Sequence, residues 1–434
     1  MRFRQRIRTA NWTAYAMVLP AVLIIAVIAV WPLIRTFWIS MYDLRLNDPA
    51  RNELNVSYGI NAEKYANSMP LLLSLLNKEA EAASGKSHTE LRELADRLAR
   101  ADAGLREDAA LQTRLDRINA LLDDFKPVPA DMQNIHIDKT GAERMRSELS
   151  GIGQSLQTLK EQGALSRADE AIGLAKAVQQ SFTVPNFVGF GHYARLLSEP
   201  RLWEALDHTA LFTAIAVALE MLAGLLIALL MNRAFRGRGL VRAAVLIPWA
   251  TPTAVSAMIW HFLYDGQNGI VAKLFAEIGL IPDMGALLST RAWALFAVVL
   301  ADVWKTAPFV ALLLLAGLQT ISASLYEAAQ MDGASRWKQF VHVTVPMLKP
   351  TFFVALLFRT LDAFRVFDLI YVLTGGGPAN STESISIYAY KTMFAELDFG
   401  AGSALSVIVF ACVLLISIVY VKLLGGEVLS RRIG

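Results

Sequence analysis

Apolar residues fill six stretches of this chain with few charges inside them, at positions 14–37, 209–231, 243–264, 292–318, 350–373 and 404–424. A bilayer core needs about 20 mostly apolar residues per helix, so each stretch predicts a membrane crossing. Arg2, Arg4, Arg6 and Arg8 precede the first as they would in a signal peptide. The apolar run is too long for one and no small-residue cleavage pattern follows, so a retained first helix is expected. Lys and Arg in short loops mark the cytoplasmic side. Under six crossings the N-terminal arginines share one side with Arg233, Arg236, Arg238, Arg242, Arg336, Lys338, Lys349, Arg431 and Arg432, which places both termini in the cytoplasm. On the opposite side Ile270, Val271, Leu274, Phe275 and Ile278 recur at helical spacing and predict a short helix in the outer interface.

From 41 to 200 the pattern changes to an amphipathic one, with 19 basic and 23 acidic residues. This segment reads as a solvated extracytoplasmic insertion. Met145, Leu149, Ile152, Leu156 and Leu159 put one apolar stripe on a helix, and Leu111, Leu115, Ile118, Leu122 and Phe125 put another. Ser87 with Glu90, and Ser166 with Asp169, have the spacing of helix N-caps. Pro127-Val128-Pro129 breaks the segment midway. The expectation is a small helical bundle or long hairpin, acting either as a passive spacer or as a docking site. The predicted fold is therefore all-α and integral to the membrane. Residues 1–40 hold the N-terminus and first span, 41–200 the helical insertion, and 201–434 a five-helix core with a cytoplasmic loop at 321–349.

Composition agrees: 55% hydrophobic residues, 18% charged and a mean hydropathy of +0.41 do not suit an ordinary soluble enzyme. The basic residues are dispersed at the ends of apolar segments, which disfavours nucleic acid as a partner. One cysteine, Cys412, permits neither an intrachain disulfide nor a Cys-rich zinc site. The six histidines show no metal spacing, and no G-x-x-x-x-G-K-[ST] loop occurs, so neither a metal, a catalytic residue nor ATP hydrolysis is expected of this chain.

Charges inside a span are costly and should face a cavity or a partner. Asp302 and Lys305 lie one turn apart in the fourth stretch, beside Trp304 and before Pro308. Arg359, Asp362, Arg365 and Asp368 follow at three-residue intervals in the fifth, where successive pairs can form a ladder. Such pairs either neutralise one another in packed protein or line a path for substrate. Glu220 in the second stretch has no local partner, and contact with another membrane subunit is an equal alternative.

The loop between the fourth and fifth stretches reads Glu327-Ala328-Ala329-Gln330-Met331-Asp332-Gly333, with Val343-Thr344-Val345-Pro346 nine residues on. Glu-Ala-Ala favours a helix start, Gly333 permits close approach, and Pro346 stops a second short helix. This loop resembles that of the membrane subunits of binding-protein-dependent ABC importers, which reads EAA, three residues, G, nine residues, I-x-L-P. The stretches 185–193 (PNFVGFGHY) and 361–368 (LDAFRVFD), running into Gly375-Gly376-Gly377-Pro378, are similar to the carbohydrate-uptake branch, of the type of the maltose permease's larger membrane subunit. The resemblance covers the first span and everything after about residue 185; the insertion is unlike the β-rich domain found at that place in the maltose protein.

The resemblance implies a type I importer fold in the bacterial inner membrane, with a second homologous permease subunit, an ATPase dimer that binds ATP and Mg, and an extracytoplasmic binding protein that delivers a sugar, of the di- or oligosaccharide class. It implies that Glu327, Ala328, Ala329, Gly333 and Pro346 couple to the ATPase. Aligned on Trp-x-x-x-Pro from Trp304 and on the Gly-Gly-Pro, it places Asp302, Trp304, Lys305, Thr306, Phe309, Arg359, Asp362, Ala363 and Val366 along the substrate path. Alternatives are a polyol or glycerol phosphate as cargo, an ion-coupled transporter using the intramembrane charges, or a membrane receptor sensing through the insertion.

Overall fold

The computed structural model describes residues 12–49 and 51–430; the N-terminal arginines and Arg431 and Arg432 lie outside the described residues. The described chain divides into two compact units, one holding the apolar helices and one built on 41–189 with 397–400.

In the first unit five helices are long and apolar enough to cross a membrane: Met17–Ile39, Pro200–Asn232, Arg291–Gln319, Arg336–Phe364 and Phe399–Lys422. Arg238–Ala250 and Thr253–Leu263, which together are apolar enough to be the third of six spans, meet at a 91° bend. The chain is a multi-pass membrane protein. Pro252 causes the break, because it has no N–H to continue the ladder and forces Thr251 into extended backbone. The fifth span is displaced from its predicted position. It begins at Arg336 and ends at Phe364, and the residues to Leu373 belong to a separate helix, Asp368–Thr374.

The second and fourth spans pack most closely, and Gly224 is the reason. A Cβ there would lie 2.5 Å from the Cγ1 of Val310 and 3.1 Å from the carbonyl of Ala307. Small residues let helix backbones approach in lipid, where apolar burial itself drives nothing. The apolar stretch of the first span holds no buried residue, which leaves its surface for lipid or another chain. The short helix Ile270–Glu277 forms as expected, with Ile270, Leu274 and Ile278 exposed and Val271 and Phe275 packed on the core.

The second unit is helical, with helices Ala62–Ala82, Lys86–Arg106, Ala109–Asp123, Lys139–Glu161 and Ala168–Gln180 around their own apolar core. Met145, Leu149, Ile152, Leu156 and Leu159 are all buried, as are Leu111, Leu115 and Ile118. Phe125 leaves that stripe. The helix ends at Asp123, and Phe125 turns outward at φ +54°, 97% exposed. The hydrophobic pattern did not reveal a small antiparallel sheet of β1 (Gly59–Asn61), β2 (Asn134–His136) and β3 (Phe182–Thr183), ordered β2-β1-β3, in which Ile60 faces Ile135 and Phe182. The expected caps also differ. Asn61, Asp108 and Asp138 cap helices, whereas Ser166 donates instead to the buried Glu79, from its N–H at 2.9 Å and its Oγ at 2.7 Å. Ser87 lies inside a helix whose N-cap is Gly85.

Candidate functional site

The break in the third span opens a polar region in an otherwise apolar bundle. At its end the Thr251 carbonyl has no helical partner, and the Nζ of Lys305 donates to it at 2.6 Å. A cation at a helix C-terminus also meets the negative end of the helix dipole. Lys305 is thereby turned toward the third span, and no ion pair between it and Asp302 occurs among the described residues.

Asp302 is instead part of a buried cluster centred on Arg359. The guanidinium donates from Nε to Glu220 at 2.5 Å and from Nη2 to the other oxygen of Glu220 at 2.8 Å. It reaches Asp302 from Nη2 at 3.3 Å and Asp362 from Nη1 at 2.6 Å. Glu220, Arg359 and Asp302 are buried, so the second, fourth and fifth spans are joined by a desolvated charge cluster. Glu220 therefore has a partner within the chain. Asp362 is half exposed and also accepts from Arg365 at 3.4 Å, but Arg365 and Asp368 form no pair among the described residues. The expected ladder stops because the helix itself stops at Phe364.

Two adjoining cavities lie here. The larger, of about 530 Å³, is bounded by Trp249, Thr251, Lys305, Phe309, Arg359 and Asp362. The smaller, of about 250 Å³, adds Asp302, Ala363, Val366 and Phe367, and both include Thr253, Thr306 and Arg365. The indole of Trp249 stacks on Phe309, centroids 5.5 Å apart and 19° from parallel. Asp302, Lys305, Thr306, Phe309, Arg359, Asp362, Ala363 and Val366 are thus gathered in one region. Trp304 is not among them; it packs edge-on against Trp260, centroids 5.5 Å apart. Thr251, Trp249 and Arg365 also line it, and Thr251-Pro252 was the available signal, because a proline inside an apolar run marks a break. Carboxylates and guanidinium groups beside stacked rings can take hydroxyls on one side and an apolar face on the other.

The loop 321–349 also departs from its expected form. Glu327-Ala328-Ala329 lies well inside the helix Ala323–Met331, after the Ser322 cap, and does not begin it. Gly333 has open space where a Cβ would stand, with nothing within 4 Å, but adopts φ +76°, which only glycine enters freely. Its conformation lets Ala334 N–H return to the Ala329 carbonyl and close the helix end. Pro346 does not stop a second short helix. The chain continues from Arg336–Gln339 through a π turn at Phe340–Thr344 into Val345–Phe364, so Pro346 lies within a continuous helical run just past the π turn, where the backbone ladder is already irregular. Tyr326 and Thr344 hydroxyls lie 3.0 Å apart and tie the loop helix to the span. Glu327, Ala328, Gly333 and Pro346 are exposed and Ala329 is half-buried; Met331 at 88% and Trp337 at 71%, neither in the expected coupling set, are exposed as well.

Outside the spans, Glu383 is buried and accepts from Arg201 at 3.0 Å and Lys391 at 2.8 Å. Burial pushes its carboxyl up, but hydrogen bonds from these two cations outweigh that and hold it below the usual range.

A family model described as binding-protein-dependent transport system inner membrane component matches residues 220–425. The trehalose/maltose transport system permease protein MalF of Thermococcus litoralis is 48% identical over 236 residues, covering 54% of this chain and 79% of that protein. The trehalose transport system permease protein SugA of Mycobacterium tuberculosis is 45% identical over 251 residues, covering 57% of this chain and 79% of its own length. A solved bacterial ABC transporter involved in alginate import shares the fold, with a TM-score of 0.50 and 24% identity, over 54% of this chain and 83% of that one.

Proposed function

This chain belongs to the inner membrane components of binding-protein-dependent transport systems, and on that premise we propose that it is one membrane subunit of an ATP-driven sugar importer. A second permease subunit completes the pathway, a separate ATPase pair binds ATP and Mg, and a binding protein delivers the sugar from outside. Both termini and the loop 321–349 then lie in the cytoplasm, and the insertion lies outside. The names of the trehalose and maltose permeases similar to this chain support a disaccharide as cargo.

One observation carries this reading. The exposed loop leads into one continuous helical run from Arg336 to Phe364, so a displacement near Trp337 is carried along the same element that holds Arg359 and Asp362. At 1.5 Å per residue, Arg336 and Arg359 are separated by about 35 Å. Movement of the ATPase therefore displaces one wall of the charged cavity relative to the Thr251-Pro252 break. In the cavity, Asp362 accepts sugar hydroxyl hydrogens, Arg365 donates to hydroxyl oxygens, and Phe309 with Trp249 offers an apolar face. Met331, exposed at the end of the loop helix, inserts into the ATPase surface. Met331→Asp should assemble normally yet lose sugar-coupled ATP hydrolysis, since a charge in that groove is left desolvated. Wild-type coupling in the assembled variant would remove the loop from this role.

A further inference from the structure

Beyond the smaller cavity four aromatic rings follow one another without a gap. Phe367 stacks on Tyr371, centroids 5.1 Å apart and 18° from parallel. Tyr390 lies 4.9 Å from Phe367 and 5.0 Å from Tyr371, and Phe394 lies 4.9 Å from Tyr390. Aromatic clusters are commonly core, but this one keeps open faces, with Tyr371 38% and Phe394 55% exposed. Its inner end is a wall of the cavity, because Phe367 lines the same space as Asp302, Lys305 and Arg359. The run therefore joins an accessible surface to the charged cavity.

The rings are held in place from behind. Lys391, next to Tyr390, donates to the buried Glu383, which also binds Arg201. The Arg201 guanidinium lies 4.2 Å from the Tyr388 ring centroid, on the short helix Ile385–Tyr390 that also carries Tyr390. Tyr390 stands where that helix opens into a π turn, Lys391–Ala395, a distortion often found at functional positions.

We propose that Phe394, Tyr390, Tyr371 and Phe367 form a stacking track along which sugar rings pass into the charged cavity. A pyranose presents an apolar C–H face that packs on an aromatic ring, and this surface offers such ring faces one after another. An aromatic belt facing lipid would spread along the membrane boundary, whereas this run leads into a polar cavity. The proposal rests on the sugar-importer reading given above.

The test uses the complete reconstituted transporter with its partner permease, ATPase pair and binding protein, and trehalose, maltose and glucose as probes. Tyr371→Leu, Tyr390→Leu and Phe394→Leu should each lower disaccharide uptake per assembled complex by about three- to tenfold, the loss of one ring contact, while Tyr371→Phe and Tyr390→Phe stay within about twofold of wild type. Phe394→Leu guards against misfolding, since that side chain is the most exposed of the four. Leucine variants with wild-type uptake per complex would overturn the track and leave the sugar reading intact. The track is likewise overturned if the variants lose only thermal stability or their hold on the partner permease, which would make the rings packing or interface. Failure of the phenylalanine variants equal to that of the leucine variants would replace stacking by hydroxyl contact and overturn it too. A wild-type complex that moves none of the three sugars would overturn the sugar reading, and the track with it.

Discussion

At the scale of single residues, the buried cluster around Arg359 makes the firmest demand. Glu220→Ala leaves a desolvated guanidinium without its bidentate partner and should cost about 3–5 kcal/mol, read as a lowered Tm of the purified complex. Replacing both Glu220 and Arg359 by methionine should recover much of that loss; equal stability of the single and double variants would contradict the pairing. Glu383 makes a different demand. Its carboxyl is held below the usual range, so the stability it contributes is present at neutral pH and lost as pH falls through that carboxyl's folded-state titration. Glu383→Gln should lower stability at neutral pH and flatten the acid limb of a thermal-stability profile; an unchanged profile would show that the charge pairing contributes nothing. The charged residues themselves were legible in the sequence, because they interrupt apolar runs. Their partners were not. Spacing along a helix suggested Asp302 with Lys305, but Asp302 reaches Arg359 on another span and Lys305 reaches the Thr251 carbonyl on a third. Periodicity reports neighbours on one helix only, and these contacts cross between helices.

At the scale of elements, amphipathic periodicity located the helices of the insertion, since every residue of the Met145-to-Leu159 stripe is buried. Strands of two or three residues carry too few positions to show an alternation, so the sheet of β1, β2 and β3 leaves no mark in the hydrophobic pattern. Proline was the least reliable guide. Pro252 breaks the third span because Thr251 before it is extended, whereas Pro346 is carried within a continuous helix just past a π turn whose residues stay helical. Gly224 links element packing to a test. Gly224→Leu would drive a side chain into Val310 and should cost about 1–3 kcal/mol or more through separation of the second and fourth spans. Unaltered Tm and assembly would show that these helices can part without loss. The insertion has its own apolar core, so a fragment spanning residues 54–184 should unfold cooperatively by circular dichroism. A non-cooperative melt would mean that its core depends on the rest of the chain.

At the scale of the whole molecule, the membrane class and family were legible because apolar length and the loop 321–349 are both written locally in sequence. The cavity was not, since it arises where a broken third span, the fourth span and the end of the fifth meet. That arrangement gives the chain a mechanical logic: a surface loop, one continuous helix, and a charged and aromatic chamber at its far end. The most direct test of this logic is uptake of labelled trehalose or maltose into proteoliposomes carrying the full complex, measured with ATP inside and the binding protein outside. Accumulation that requires both, and that is abolished by Met331→Asp without loss of assembly, is the predicted result. Uptake that proceeds without ATP, or that follows an imposed ion gradient instead, would contradict it.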